Sequence, residues 1–471
     1  MLFNTIDFAV FLPLVVVLYY LIPHKYRWTL LLAASYYFYM SWKVEYIFLI
    51  IASTLVDYIS GLRMGKLADR RSRLPWLILS LSVNLGLLFS FKYFNFTTEN
   101  LNFLFQKVGL SRELPLMNLL LPVGISFYTF QTLSYSIDVY FGKQKAEKHL
   151  GYFALYVSFF PQLVAGPIER YSSLAPQFRS RQILTPANLT NGLRLILYGL
   201  FIKMVIADNI SGIVDQVYAH PEDFASLDIL KGVVLYSFQI YSDFYGYSTI
   251  AIGSALLLGI RIMDNFKSPY LARNISEFWQ RWHISLSTWF RDYLYFPLGG
   301  NRVSRQRWVL NILLVFLISG LWHGANWTFL IWGLLFALLY LLERLLNRAL
   351  KLQRVFSDYS AGHLLLALKT FLLVTTLWIF FRSQSLDSAM VLFGSLIHNG
   401  AGSPGVLSIP VSTWIFLLLF IGSDVILFNR RFDSWVGGLP YLLRWAIYGV
   451  LLFGIIAFAG VENFPFIYFQ F

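Results

Sequence analysis

No cysteine occurs anywhere in the chain. That excludes disulfides, thiolate metal sites and any cysteine acyl-enzyme, and says nothing about compartment. Charge is scarce as well. Asp, Glu, Lys and Arg make up 13% of 471 residues, against about 25% in ordinary soluble domains. Several catalytic signatures are missing. There is no P-loop, no H-E-x-x-H and no G-x-S-x-G, which removes Walker-loop, zincin and serine-elbow chemistry. No histidine is followed five residues later by aspartate, so the pair used by glycerolipid acyltransferases is absent, and no D-x-D run points to a sugar-nucleotide transferase. No metal site is expected. What remains is metal-independent chemistry centred on histidine.

What the chain does have is apolar length. It is 57% hydrophobic and 18% aromatic. Its apolar runs reach ~15–20 residues, close to the ~20 that cross a bilayer as a helix. The fold class expected is therefore all-α and polytopic in a membrane, with about 11–12 spans. They are read at residues 8–22, 28–42, 46–60, 75–91, 116–137, 192–207, 232–260, 309–322, 326–342, 364–381, 414–428 and 446–460. The opening "MLFNTIDFAVFLPLVVVLYYLIP" has no basic residue before its apolar run, so it reads as a first span and not as a removed signal. The net charge of +13 could suggest nucleic acid. The basic residues instead gather in short connections such as "HKYR" (24–27), "RMGKLADRRSR" (63–73), "NRVSRQR" (301–307), "ERLLNRALKLQR" (343–354) and "NRR" (429–431). Cytoplasmic loops have that composition. Lipids are the expected surroundings and no nucleic-acid partner is expected. Both termini then lie outside, provided that 151–168, with Pro161, Gly166 and Pro167, is a broken re-entrant segment and does not cross. The stretch 382–413 reads as a mostly polar outer connection.

One histidine stands in an unexpected place. "SGLWHGANWTF" (319–329) puts His323 between two apolar runs. The run before it, 309–322, rises only ~21 Å against a hydrocarbon core of ~30 Å, so the hairpin tip is expected to stop inside the membrane, with Gly324 at its turn. An ionisable group at such depth usually marks a pathway or a site, and neutral imidazole is a good general base. The alternative is a histidine bonded to a neighbouring helix for packing alone. A second histidine, His283, lies in "EFWQRWHISLSTWFRDYLYFPLGG" (277–300). If that stretch is one helix, Trp279, His283, Ser287 and Arg291 share a face. The face could line a polar tunnel, or belong to an interfacial helix with snorkelling arginines. Asp243, alone in "YSFQIYSDFYGYSTIAIG" (236–253), is expected to face the interior. Gly and Ser at 246, 248, 253 and 254 suit close helix packing.

Taken in order, "FFPQLVAGPIER" (159–170), "YSDFYGYSTIAIG" (241–253), "FWQRWHISLSTWFRDYLYFPLGGNR" (278–302), "SGLWHGANWTF" and "WIFFRSQSLDSA" (378–389) closely resemble the membrane-bound O-acyltransferase family. The stretch "WFRDYLYFPLGGNR" is similar to the bacterial branch that acetylates alginate, peptidoglycan and cellulose. The resemblance implies one integral-membrane domain over 1–471, with N-terminal spans (1–150), a catalytic core (151–345) and C-terminal spans (346–471). It implies a ring of helices around a central tunnel, in the bacterial cytoplasmic (inner) membrane. It implies His323 as catalytic base and His283 as the second histidine, beside the tunnel; Asp243, Trp279, Ser287, Arg291, Trp322 and Asn326 are the candidate tunnel or substrate residues read from the sequence itself. Asn326, Trp322 and His283 are candidates to stabilise the oxyanion. No cofactor is held permanently; acyl-CoA, as acetyl-CoA, is the implied donor from the cytoplasm. The acceptor is an exported polysaccharide (alginate-, cellulose- or peptidoglycan-like) or a periplasmic acetyltransferase partner. Direct transfer, relay through a partner hydroxyl and a histidine-bound acyl intermediate all remain open. Two non-enzymatic alternatives are a polysaccharide or lipid transporter with an intramembrane histidine, and a scaffold for polymer export.

Overall fold

The computed structural model describes residues 1–164, 166–349, 357–399, 406–460 and 466–467. Every described element is a helix. The end of the basic run 343–354, part of the connection 382–413 and most of the C-terminus lie outside the described residues. The helices are α1 (Ile6–Leu21), α2 (His24–Met40), α3 (Ile47–Gly65), α4 (Arg70–Lys107), α5 (Ile125–Tyr140), α6 (Leu150–Ser158), α7 (Phe160–Leu163), α8 (Tyr171–Arg179), α9 (Pro186–Ala219) and α10 (Ser226–Leu257). They continue as α11 (Ile275–Arg281), α12 (Ile284–Phe290), α13 (Arg305–His323), α14 (Trp327–Ala349), α15 (Ala361–Arg382), α16 (Leu386–His398), α17 (Val411–Ile426), α18 (Phe432–Gly437) and α19 (Tyr441–Phe458). Among the described residues six helices are long and apolar enough to cross a membrane: Val44–Gly65, α4, α9, Trp327–Arg348, α15 and α19. Three shorter apolar helices are α1, α16 and α17. The chain is an all-α polytopic membrane protein.

Contacts divide it into two compact units, Met1–Asn188 with Ser254–Met263, and Leu189–Gly253 with Asp264–Phe471. In the first unit, the expected span 116–137 begins only at Ile125. Pro115 and Pro122 withhold backbone donors, and Gly124 takes a left-handed turn at φ +76°. The irregular segment before it is held from the side by α4. Asn95 exchanges two hydrogen bonds of 2.8 Å with the Met117 backbone, and Asn102 does the same for Leu114 at 2.8 and 3.0 Å. The expected break within 151–168 is present. Helix α6 stops at Ser158, α7 lasts four residues, and the described chain after Gly166 is irregular up to α8.

A buried polar network joins α3, α4 and α5. The Asp57 carboxylate accepts from Ser80 Oγ (2.5 Å), Asn84 Nδ2 (3.0 Å) and Ser136 Oγ (3.2 Å), while Asn84 Oδ1 accepts from Ser53 Oγ (2.6 Å). Each buried polar group left without its partner costs about 1–3 kcal/mol. Asn84→Leu strips partners from both Asp57 and Ser53. A drop in thermal stability of the purified protein, several degrees beyond that of an exposed Asn→Leu control, is the expected result.

In the second unit, α9 and α10 touch through glycine. A methyl group on Gly246 would lie 2.9 Å from the Gly199 carbonyl oxygen, and one on Gly253 would lie 2.7 Å from that of Gly192. The close-packing reading holds for Gly246 and Gly253. Helix α13 starts four residues earlier than its apolar run. Ser304 caps it by accepting from Arg307 N, and Arg305 and Arg307 enter the first turn. Its 19 residues rise about 28 Å, but the first turn carries Arg305 and Arg307, so the apolar part stays short and α13 is not among the six helices long and apolar enough to cross a membrane. The connection 382–413 also contains α16, started by a reciprocal Ser385–Ser388 capping box.

Candidate active site

Both histidines and the residues around them belong to the second unit. Helix α13 ends on His323, whose ring is buried at 2% exposure. Three aromatic rings stand edge-on to it: Trp322 at 4.9 Å, Trp332 of α14 at 5.1 Å and Phe381 of α15 at 5.2 Å between centroids. The chain then turns through Gly324 with φ −163°, an ordinary extended conformation. Glycine is needed there for room: a methyl group would lie 2.0 Å from the Phe329 ring. The turn is fastened by Asn326, which donates to Gln384 O (2.7 Å) and accepts from Thr328 N (3.1 Å).

His283 is fully buried, but not on a continuous helix. Its backbone is left-handed (φ 42°, ψ 55°) and separates α11 from α12. The expected common face of Trp279, His283, Ser287 and Arg291 is therefore broken between Trp279 and His283. The cause lies in Asn265. Its carbonyl accepts from Ile284 N (2.9 Å), and its side-chain oxygen accepts from Ser285 N (3.3 Å) and Ser285 Oγ (2.6 Å). These bonds replace helical ones and aim the imidazole at Phe244 (4.7 Å) and Trp322 (5.8 Å). The two histidines thus flank one indole. Trp279 packs on Trp332 at 5.8 Å and so joins the same aromatic cluster. Ser287 and Arg291 do not: Ser287 Oγ donates to Trp282 O (3.2 Å), and Arg291 is more than half exposed beside Asp292.

Asp243 is part of a buried ion cluster that sequence reading missed in part. Lys203 Nζ lies 2.7 Å from Asp243 Oδ1 and 2.5 Å from Asp208 Oδ1. The second oxygen of Asp243 accepts from Ile467 N at 2.6 Å. Lys203 sits in a π-helical turn, Ile202–Ala207, which re-aims side chains within a helix. The available signal was a lone lysine in the apolar run "LFIKMVIA". Asp243 precedes Phe244, so the cluster fixes the ring against which His283 packs.

Burial pushes the His283 imidazole down to about 3. Its protonation then favours the unfolded chain, where histidine titrates near its ordinary 6.5. Stability from this group is complete above pH 6.5 and declines as pH falls toward 3, by at most about 1.4 kcal/mol per pH unit. His283→Gln should flatten that acid slope in melting temperature measured against pH. An unchanged slope would mean that His283 does not carry it.

Comparison with known proteins fits this geometry. The profile described as MBOAT, membrane-bound O-acyltransferase family, matches residues 146–382, which hold both histidines. The chain is 42% identical over 391 residues to the probable alginate O-acetylase AlgI of Azotobacter vinelandii, covering 83% of this chain and 76% of that protein. It is 38% identical to the peptidoglycan O-acetyltransferase of Helicobacter pylori over 79% of this chain and 74% of the relative. It is 30% identical to the teichoic acid D-alanyltransferase of Bacillus subtilis over 48% of this chain and 59% of the relative. With the family profile on the stretch that holds the paired histidines and relatives matched over most of its length, the chain belongs to the membrane-bound O-acyltransferase family and is a multi-span membrane acyltransferase.

Proposed function

We propose that the protein is an O-acetyltransferase of the bacterial inner membrane. It takes an acetyl group from a cytoplasmic thioester, acetyl-CoA, and delivers it to a hydroxyl of an exported polysaccharide or of a periplasmic partner protein. The observation that carries this reading is the buried imidazole of His323, enclosed by Trp322, Trp332 and Phe381 and paired with His283 across one indole. The names of the relatives, alginate O-acetylase and peptidoglycan O-acetyltransferase, favour acetyl over other acyl groups and a polysaccharide acceptor.

Neutral His323 takes the proton of the acceptor hydroxyl as its oxygen bonds to the thioester carbonyl carbon. The tetrahedral intermediate then expels the thiolate by breaking the C–S bond, and the imidazolium returns the proton to sulfur. Such general base catalysis is worth about 10²–10⁴-fold. A dry aromatic enclosure keeps water from competing for the acetyl group. A cavity of about 710 Å³ in the second unit, lined among others by Lys267, Arg273, Arg281 and Arg344, offers cationic surface to a phosphate-bearing donor. Glu277 spans two of those guanidiniums, Arg273 at 2.9 Å and Arg281 at 3.1 Å, and sets their spacing.

Reconstituted proteoliposomes test the reading. Labelled acetyl-CoA is supplied on the face that bears the basic loops, with the source cell's extracellular polymer on the other. Label appearing as polymer-bound ester with wild type and not with His323→Ala is expected. Label that stays in acetyl-CoA with both, while a D-alanyl or longer acyl donor is consumed, would move the donor assignment.

A further inference from the structure

Two buried hydrogen-bond donors on α14, the helix whose Trp332 packs on His323, have no acceptor among the described residues: Thr328 Oγ1 and Trp332 Nε1. Both side chains are completely buried. They lie four residues apart on α14 and so share one face of the helix. Trp332 stands 5.1 Å from the His323 ring, which turns that face toward the histidine. Neighbouring contacts fix the orientation. The Trp332 ring is wedged against Phe336, Trp378 and Phe381, and Thr328 N is tied to Asn326. A buried donor left unmet is a standing cost that folded proteins rarely retain without use.

We infer that Thr328 and Trp332 form the oxyanion-stabilising pair for the acyl transfer, an inference that rests on His323 being the base. As the acceptor oxygen adds to the thioester carbonyl, the C=O π electrons move onto oxygen. The hydroxyl of Thr328 and the indole N–H of Trp332 then donate to that anion. When the C–S bond breaks and the carbonyl re-forms, both donors are released unchanged. Donors fixed in a water-excluded site need no reorganisation at the moment of reaction, which is the condition for large transition-state stabilisation. Asn326, a candidate on sequence grounds, is committed to holding the hairpin turn through both ends of its amide.

The test compares Thr328→Val, Thr328→Ser, Trp332→Phe and His323→Ala in the source cell at matched membrane abundance. It reads the initial rate of O-acetyl ester accumulation on extracellular polymer and peptidoglycan, and the melting temperature of each purified protein. Thr328→Val and Trp332→Phe keep shape and remove one donor, so each should lose about 10²–10³-fold in rate with little change in melting temperature. Thr328→Ser retains the hydroxyl and should stay near wild type. Wild-type rates in Thr328→Val and Trp332→Phe, with esters abolished by His323→Ala, would overturn the donor assignment alone. Esters that survive His323→Ala would overturn the base reading and this inference with it. A loss in Thr328→Ser equal to that in Thr328→Val, or one that follows the melting temperatures, would assign the pair to packing and overturn the inference.

Discussion

His323→Ala is expected to lower acetyl transfer by about 10²–10⁴-fold while the protein still folds and inserts. The ring closes the end of α13 and touches three aromatic groups, but the hairpin does not depend on it. The turn is held by Asn326 and by the room at Gly324. Alanine leaves a cavity, so His323→Phe is the companion variant: it keeps a ring among Trp322, Trp332 and Phe381 and removes only the base. Equal rate losses in the two variants, with His323→Phe restoring most of any lost thermal stability, separate chemistry from packing. A His323→Phe protein that transfers at wild-type rate would assign the ring to packing.

Lys203→Met is expected to cost about 3–5 kcal/mol of stability, the scale set by breaking a buried charge pair from one side. Lys203 is 1% exposed and is the cation that faces both Asp208 and Asp243. Removing it leaves two buried carboxylates facing each other's charge. The triple variant Lys203→Met, Asp208→Asn, Asp243→Asn has no such charge and should recover much of the loss, because apolar or neutral replacement of a whole buried pair is often near neutral. Chemical denaturation in detergent reads both. The effect reaches the site through Phe244, which follows Asp243 in the chain and whose ring lies 4.7 Å from His283. A Lys203→Met protein as stable as wild type would show that the carboxylates are neutral or otherwise compensated.

Hydrophobic run length located most helices, because that pattern is local. Pro161, Gly166 and Pro167 likewise announced the broken segment after α6. Failures came where distant partners decide backbone conformation. Asn95 and Asn102 hold residues 114–117 out of a helix although the stretch is apolar, and Asn265 interrupts what reads as one helix at His283. Neither pairing has a signature in local periodicity. The first turn of α13 lay outside the hydropathy pattern because a helix start is set by its cap, here Ser304, and not by where lipid-compatible sequence begins. At the site, His323, His283, Trp322 and Trp279 were legible and the structure gathers them. Lys203 was legible in principle, as a lone charge in an apolar run, and Asp57 in α3 likewise. Thr328 and Trp332 were not, since only their missing acceptors distinguish them from ordinary core residues.

The central claim is that this membrane protein transfers acetyl groups through His323. Its most direct test is the O-acetyl ester content of purified extracellular polymer and peptidoglycan from cells carrying wild type or His323→Ala at equal membrane abundance, with polymer yield measured beside it. Esters lost from one fraction with yield unchanged is the predicted result, and the depleted fraction identifies the acceptor. Esters unchanged in both fractions, or polymer export lost together with them, would contradict the claim and favour a transporter or an export scaffold.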